Sequence, residues 1–209
     1  QSSRDSFDFY FDVSSPFAFL GATQIERFAK EMQVRIHWRP IFLGGLFKTL
    51  GGPTVPLSTF SAPKQQFIAK DMQRWANHWN IPLQWPDQFP VMTVKAMRIL
   101  LSLGDNCAGL ALRIFRAYWC DNRDIQSPEV LKELILAEGL PESTLEAATD
   151  PHWKAELIQV TTAAAEKGVF GVPTFVAGDT LIWGQDRFLF LEHALRGWKD
   201  PGATAIDPS

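Results

Sequence analysis

The sequence predicts an α/β fold in which one small sheet is assembled from both ends of the chain and an all-helical domain is inserted between them. Two observations carry this. Period-two alternation occurs at residues 7–13 and 34–41 and again at 173–183, while the middle of the chain repeats apolar residues at helical spacing. The first two strand patterns are separated by one helix and the last two by two residues. A β-α-β opening implies a right-handed crossover and a parallel pair, and a two-residue link implies an antiparallel hairpin.

In "FDFYFDV" (7–13), Phe7, Phe9, Phe11 and Val13 share one face. From Pro16 to about Met32, Phe17, Gly21, Ile25, Phe28 and Met32 keep helical spacing. "VRIHWRPI" then alternates, with Val34, Ile36 and Trp38 together. Residues 44–61 are rich in Gly, Pro, Ser and Thr and read as a loop. A helix carrying the stripe Ile68, Met72, Trp75 and Trp79 follows and ends near Asn80-Ile81-Pro82. Further helices are expected over about 93–103 and 107–120. "SPEVLKELILAEG" (127–139) has a Ser cap, a Pro at the first helical position and a Gly stop, and "DPHWKAELIQVTTAAAEKG" (150–168) repeats that grammar. At the end, "PTFVA" and "TLIW" flank Gly178-Asp179, and Phe188, Leu191, Leu195 and Trp198 stripe a last helix. Residues 1–45 and 168–209 therefore form the sheet-bearing domain, and residues 46–167 the helical insertion.

Composition narrows the function. In 209 residues, 46% are hydrophobic and 21% charged, which is ordinary for a globular chain. A net charge of -3 and a pI near 5.8 leave no basic footprint for nucleic acid. No apolar run approaches the roughly 18 residues of a membrane span. The first residues, "QSSRDSFDFYF", lack the basic and long apolar regions of a signal peptide. Cys107 and Cys120 lie on one helical pattern, roughly 20 Å apart at the usual rise, and are expected as free thiols. The four histidines share no metal-ligand spacing. The expectation is a cytoplasmic, metal-free protein.

The chemistry centres on Ser15-Pro16. As a dipeptide it reads as a helix cap, and Ser127-Pro128 supplies an internal control with the same grammar. Position separates the two. Ser15 ends a strand, where open α/β sheets bind ligands, and the first turn of the next helix offers N–H donors and a positive dipole end to an anion.

The two ends together give a thioredoxin-like fold with an inserted all-helical domain. The helix after the first strand matches the placement of the thioredoxin active site, and "GVPTF" (171–175) matches the proline that is cis in that fold. The isomer of Val172–Pro173 is not written in the residue names. Thioredoxin-like oxidoreductases carry Cys-Pro-x-Cys at this turn, whereas this chain carries Ser-Pro-Phe-Ala, so disulfide exchange is excluded here. The stretches "DFYFDVSSPFAFLG", "DMQRWANHWNIPLQWP", "VFGVPTF" and "WGQDRFLFLE" resemble the kappa-class glutathione transferases and the 2-hydroxychromene-2-carboxylate isomerases, relatives of bacterial disulfide oxidoreductases. The resemblance spans nearly the whole chain, and the "QRWA…IPL…P" segment leans towards the isomerases.

The resemblance implies glutathione as cofactor and Ser15 as the catalytic residue, its hydroxyl hydrogen-bonding the glutathione sulfur. Lowering a thiol pKa from about 8.5 towards neutrality requires about 2 kcal/mol, within reach of one charged hydrogen bond and a helix dipole. It further implies that Val172, beside Pro173, pairs with the ligand backbone, and that Trp183, Gly184, Gln185 and Asp186 receive the γ-glutamyl end. Read locally, Gln185 or Asp186 also suits the cap of the last helix. Lys64 matches a lysine that meets a carboxylate of glutathione or of the substrate. Gly51, Gly52 and Thr54 stand where relatives place an Asn against the substrate. Trp75, Trp79 and Trp85 read as packing, and Asp12 as a charge near the active end of the sheet. The implied reaction is glutathione-dependent isomerisation of an aromatic carboxylate, between 2-hydroxychromene-2-carboxylate and trans-o-hydroxybenzylidenepyruvate, as in naphthalene degradation, by a homodimer. A kappa-like transferase conjugating electrophiles uses the same site, and a non-catalytic thioredoxin-like binding module is the alternative of another class.

Overall fold

A computed structural model describes residues 5–53 and 55–198. The chain runs through β1 (Ser6–Phe11), α1 (Pro16–Met32), β2 (Arg35–Pro40) and α2 (Leu43–Thr49). It continues with α3 (Ala62–His78), α4 (Val94–Ser102), α5 (Ala108–Trp119), α6 (Pro128–Ala137) and α7 (Pro151–Glu166). It closes with β3 (Thr174–Ala177), β4 (Thr180–Trp183) and α8 (Phe188–Leu195).

The four strands form one sheet in the order β2-β1-β3-β4. β1 and β2 are parallel, with Phe9 opposite Trp38. β3 runs antiparallel to β1, with Phe9 opposite Phe175, and antiparallel to β4, with Ala177 opposite Thr180 across Gly178-Asp179. This is the thioredoxin-like sheet, with helices between its two halves. The central strand is closed to water on both sides, since Phe9 and Phe11 are fully buried and Tyr10 nearly so.

Aromatic rings hold the layers. Phe9 stacks on Phe11 at 5.3 Å and on Phe175 at 5.5 Å, and meets Trp38 edge-on at 5.1 Å. Phe115 of α5 packs against Phe11 at 5.9 Å and against Phe19 of α1 at 5.6 Å. Each such pair is worth about 0.5–1.5 kcal/mol beyond area burial. The buried side chains of the sheet and of the inserted helices form one continuous cluster.

The structure departs from the sequence expectation in the 44–61 region. Leu43–Thr49 is helical despite Gly44 and Gly45, and Pro56–Thr59 forms a 3-10 turn. The helix is held from outside. The Phe42 N–H donates to Thr161 Oγ1 at 3.0 Å and the Leu43 N–H to Asp12 Oδ2 at 2.8 Å, so its N-terminus is capped by residues distant in sequence. Glu142–Ala148 is likewise a 3-10 turn with no periodic signature. β1 ends at Phe11, two residues before the alternation does, and α8 ends before Trp198. Of the three tryptophans read as packing, Trp85 is 46% exposed and meets only Phe89 and Trp119 edge-on among its ring contacts.

Both cysteines are free. Burial and the nearby Asp105 carboxylate push the Cys107 thiol up to about 12, and burial also raises that of Cys120. The thiolate is the reacting form, so Cys107 is expected to resist a disulfide reagent in native protein at pH 8 and to react at full rate in denaturant. Rapid labelling of Cys107 without denaturant would contradict its placement.

Candidate functional site

Ser15 is the N-cap of α1, in extended conformation, with Pro16 at the first helical position. Its Oγ accepts from the Ala18 N–H at 3.1 Å, a bond worth about 1 kcal/mol to the helix. The same hydroxyl donates to the Val172 carbonyl at 3.3 Å, across 157 residues of sequence. The Val172–Pro173 peptide is cis, as in the fold the sequence resembles. Ser127 makes the same cap to Val130, but its hydroxyl donates locally, to Glu129 Oε2 at 2.6 Å. The local grammar is shared, and the neighbour across the sheet is not.

Ser15 opens onto a cleft of about 720 Å³, within the usual range for small-molecule sites. Its walls are largely aromatic and aliphatic. Phe42 and Phe47 come from the cap of α2 and from α2 itself, Phe60 from the approach to α3 and Lys64 from its first turn, Phe89 from before α4, and Trp183 from β4. Phe170 stands against Trp183 at 5.1 Å. Gly171 lets the Trp183 indole approach, because a Cβ there would meet its Nε1 at 2.9 Å.

The charged groups on the cleft are Lys64, Asp71, Asp186 and Arg187. The Lys64 ammonium lies 3.6 Å from the centre of the Phe60 ring, a cation–π placement at the rim. Arg187 donates to the Trp183 carbonyl at 2.8 Å and to Asp186 Oδ1 at 3.3 Å. Gly184 closes this corner at φ +116 and donates to the Pro173 carbonyl at 3.0 Å, tying the corner to the cis proline.

Two features mark this corner. Gln185 is 6% exposed, and among the described residues its Oε1 has no donor. A buried acceptor left so costs about 1–3 kcal/mol. In addition, no side chain caps α8, which starts from Arg187. This corrects the expectation that Gln185 or Asp186 caps it: Gln185 is turned into the interior and Asp186 is held by Arg187. In its first turn the Phe190 N–H bonds back to the Arg187 carbonyl at 3.1 Å, and the Phe188 and Leu189 N–H groups receive no side-chain cap.

Behind the turn lies Asp12, fully buried. Its carboxyl accepts from the Ser14 N–H at 2.9 Å, the Leu43 N–H at 2.8 Å and Thr93 Oγ1 at 3.1 Å. Burial pushes this carboxyl up from the usual carboxylate range, and the hydrogen bonds oppose that rise. The indole of Trp119, also fully buried, donates to the Val13 carbonyl at 2.9 Å and fixes the same loop from α5.

The structure thus brings together Ser15, Lys64, Val172, Pro173, Trp183, Gly184, Gln185 and Asp186 on one cleft. Gly51 and Gly52 are placed elsewhere. Their N–H groups bond back to Lys48 and Phe47 at the end of α2, which leaves both glycines exposed and outside the cleft lining while Phe47 faces it. Thr54 lies outside the described residues. Sequence reasoning missed Phe42, Phe47, Phe89, Phe170 and Arg187. A signal existed for Phe47: a large apolar residue in a Gly- and Pro-rich stretch with no periodic partner needs something to cover it. Among the described residues no group of His, Cys, Asp and Glu side chains has the arrangement of a metal site, and no helix is long and apolar enough to cross a membrane.

Comparison with known proteins adds the following. A family model described as DSBA-like thioredoxin domain matches residues 7–196. A protein of Pseudomonas putida named 2-hydroxychromene-2-carboxylate isomerase is 30% identical over 192 residues, 90% of this chain and 93% of that one. Human glutathione S-transferase kappa 1 is 27% identical over 218 residues, 96% of this chain and 95% of that one. A solved 2-hydroxychromene-2-carboxylate isomerase superposes with a TM-score of 0.77 at 26% identity, covering 91% of this chain and 94% of the other.

Proposed function

The chain belongs to the DSBA-like thioredoxin domain family, beside the 2-hydroxychromene-2-carboxylate isomerases and kappa glutathione transferases, and on that premise we propose that it is a glutathione-dependent isomerase of an aromatic, conjugated carboxylate. The observation that carries this reading is the Ser15 hydroxyl at the N-terminus of α1, facing the Val172 carbonyl on an aromatic-walled cleft with no cysteine in its lining. A redox enzyme needs a thiol there. A hydroxyl instead suits a sulfur that arrives with the ligand.

The residues fit glutathione. Its γ-glutamyl end carries an ammonium and a carboxylate, which match the half-exposed Asp186 carboxylate and the uncapped start of α8. The Val172 carbonyl and N–H border the cleft beside Pro173, although the residue is only 5% exposed, and suit a peptide backbone, while Lys64 suits the remaining carboxylate or that of the substrate. When bound, glutathione supplies a thiolate nucleophile that adds reversibly to a conjugated double bond. The protein's part is to hold that charge. Ser15 exchanges its long bond to Val172 for one to the sulfur, and the helix dipole adds to it. The walls formed by Phe42, Phe89 and Trp183 suit the aromatic ring of the substrate. A homodimer and a cytoplasmic setting belong to this same proposal.

The test follows the absorbance of 2-hydroxychromene-2-carboxylate with and without glutathione while free thiol is assayed. Conversion that requires glutathione without consuming it is expected. Conversion without glutathione would sink the reading. Stoichiometric loss of thiol would favour the second reading, a transferase, for which the similarity to glutathione S-transferase kappa 1 speaks.

A further inference from the structure

We propose that Asp12 is a positioning residue: its single buried carboxylate locks the Ser15 turn to two walls of the cleft and so sets how well the site holds a thiolate. The inference rests on the glutathione reading above. Three neutral donors converge on it from three separate segments. Ser14 precedes the cap residue of α1, Leu43 opens α2, and Thr93 is the N-cap of α4. All three line the cleft, whereas Asp12 does not. Asp12 therefore acts through them, and its backbone carbonyl also accepts from the Ser15 N–H at 3.1 Å.

Two details show that the joint serves position at a cost to local structure. A Thr at an N-cap ordinarily bonds its own helix, but the Thr93 side chain makes no cap bond, its hydroxyl being directed to Asp12. The Phe42 side chain likewise cannot cap α2, and the Asp12 carboxylate replaces it from 31 residues away. A buried carboxylate whose hydrogen-bond partners among the described residues are all neutral is an expensive way to tie three loops together. It gains meaning where the ends of those loops must hold a reacting group in register to within about 0.5 Å.

The experiment measures binding of reduced glutathione by calorimetry, and the pH at which bound thiol becomes thiolate by its ultraviolet absorbance, in Asp12→Asn, Thr93→Val and Thr93→Ser. Asn places an N–H₂ where an acceptor faced Leu43 or Ser14, and Val removes a donor while keeping shape. Positioning predicts glutathione affinity about tenfold weaker in Asp12→Asn and several-fold weaker in Thr93→Val, with the thiolate transition about one pH unit higher in the former. Thr93→Ser restores wild-type behaviour. If Asp12→Asn does not fold, Thr93→Val against Thr93→Ser decides. Variants that melt earlier yet bind and titrate as wild type would overturn the proposal, leaving Asp12 a purely structural group. A thiolate transition moved to lower pH would also overturn it, because relief of charge repulsion would then outweigh position. Failure of the wild type itself to bind glutathione overturns the functional reading first.

Discussion

Replacing Ser15 with Ala is expected to lower glutathione-dependent turnover about a hundredfold, the size of one lost hydrogen bond to a charged group. The same substitution removes the α1 cap and costs about 1 kcal/mol of stability, so a rate loss alone does not identify the role. Ser15→Gly separates the two effects. Glycine is a tolerable N-cap, within a few tenths of a kcal/mol of serine, but it has no hydroxyl to offer sulfur. Turnover should therefore fall as far in Ser15→Gly as in Ser15→Ala, while the melting temperature falls less. Retention of more than a tenth of the wild-type rate in a well-folded Ser15→Gly protein would remove Ser15 from the chemistry.

Gly184→Ala is expected to be the most damaging single change at the opposite end of the cleft. At φ +116 an L side chain is strained by about 1–3 kcal/mol. The space is also occupied: a Cβ there would lie 2.4 Å from an Arg187 guanidinium nitrogen and 2.8 Å from Asp186 Oδ1. Both atoms end flexible, half-exposed side chains that would swing aside, and both belong to the ligand corner. Arg187 then loses its hold on the Trp183 carbonyl, Asp186 turns away, and the Gly184 bond to Pro173 lengthens. Glutathione binding should weaken more than tenfold, with thermal stability also reduced. Affinity within twofold of wild type would show that the corner does not receive the cofactor.

What was legible in the sequence was what neighbouring residues decide. The cap and bounds of α1, the Ser127 and Asp150 helix starts and the Gly178-Asp179 hairpin all follow from grammar within a few residues, and all are present. The resemblance placed Ser15, Pro173 and the 183–186 corner on a common site, and they share one cleft. What failed was decided at long range. α2 reads as a loop because its two glycines disfavour helix, while the groups that hold it, Asp12 and Thr161, lie 31 and 119 residues away. The capping expectation at Gln185 failed because burial turned that amide inward, which no local pattern encodes. The aromatic walls were invisible for the same reason. Phe42, Phe89 and Phe170 come from three separate connections, and only the folded chain brings them together.

The two glycines that obscured α2 also have a practical consequence for anyone trying to harden this protein. Helix-interior glycines are the usual first targets of stabilising substitution, since Gly→Ala typically gains up to about 1 kcal/mol. Here the Phe42 ring is folded back over them, so that an added methyl would meet it at 2.9 Å from Gly44 and 3.0 Å from Gly45. The ring would have to move, and it is part of the cleft wall. A variant selected for heat resistance at these positions would alter the cleft wall in exchange for robustness, and a library that diversifies them would sample new pocket shapes without touching Ser15 or the Val172–Pro173 turn.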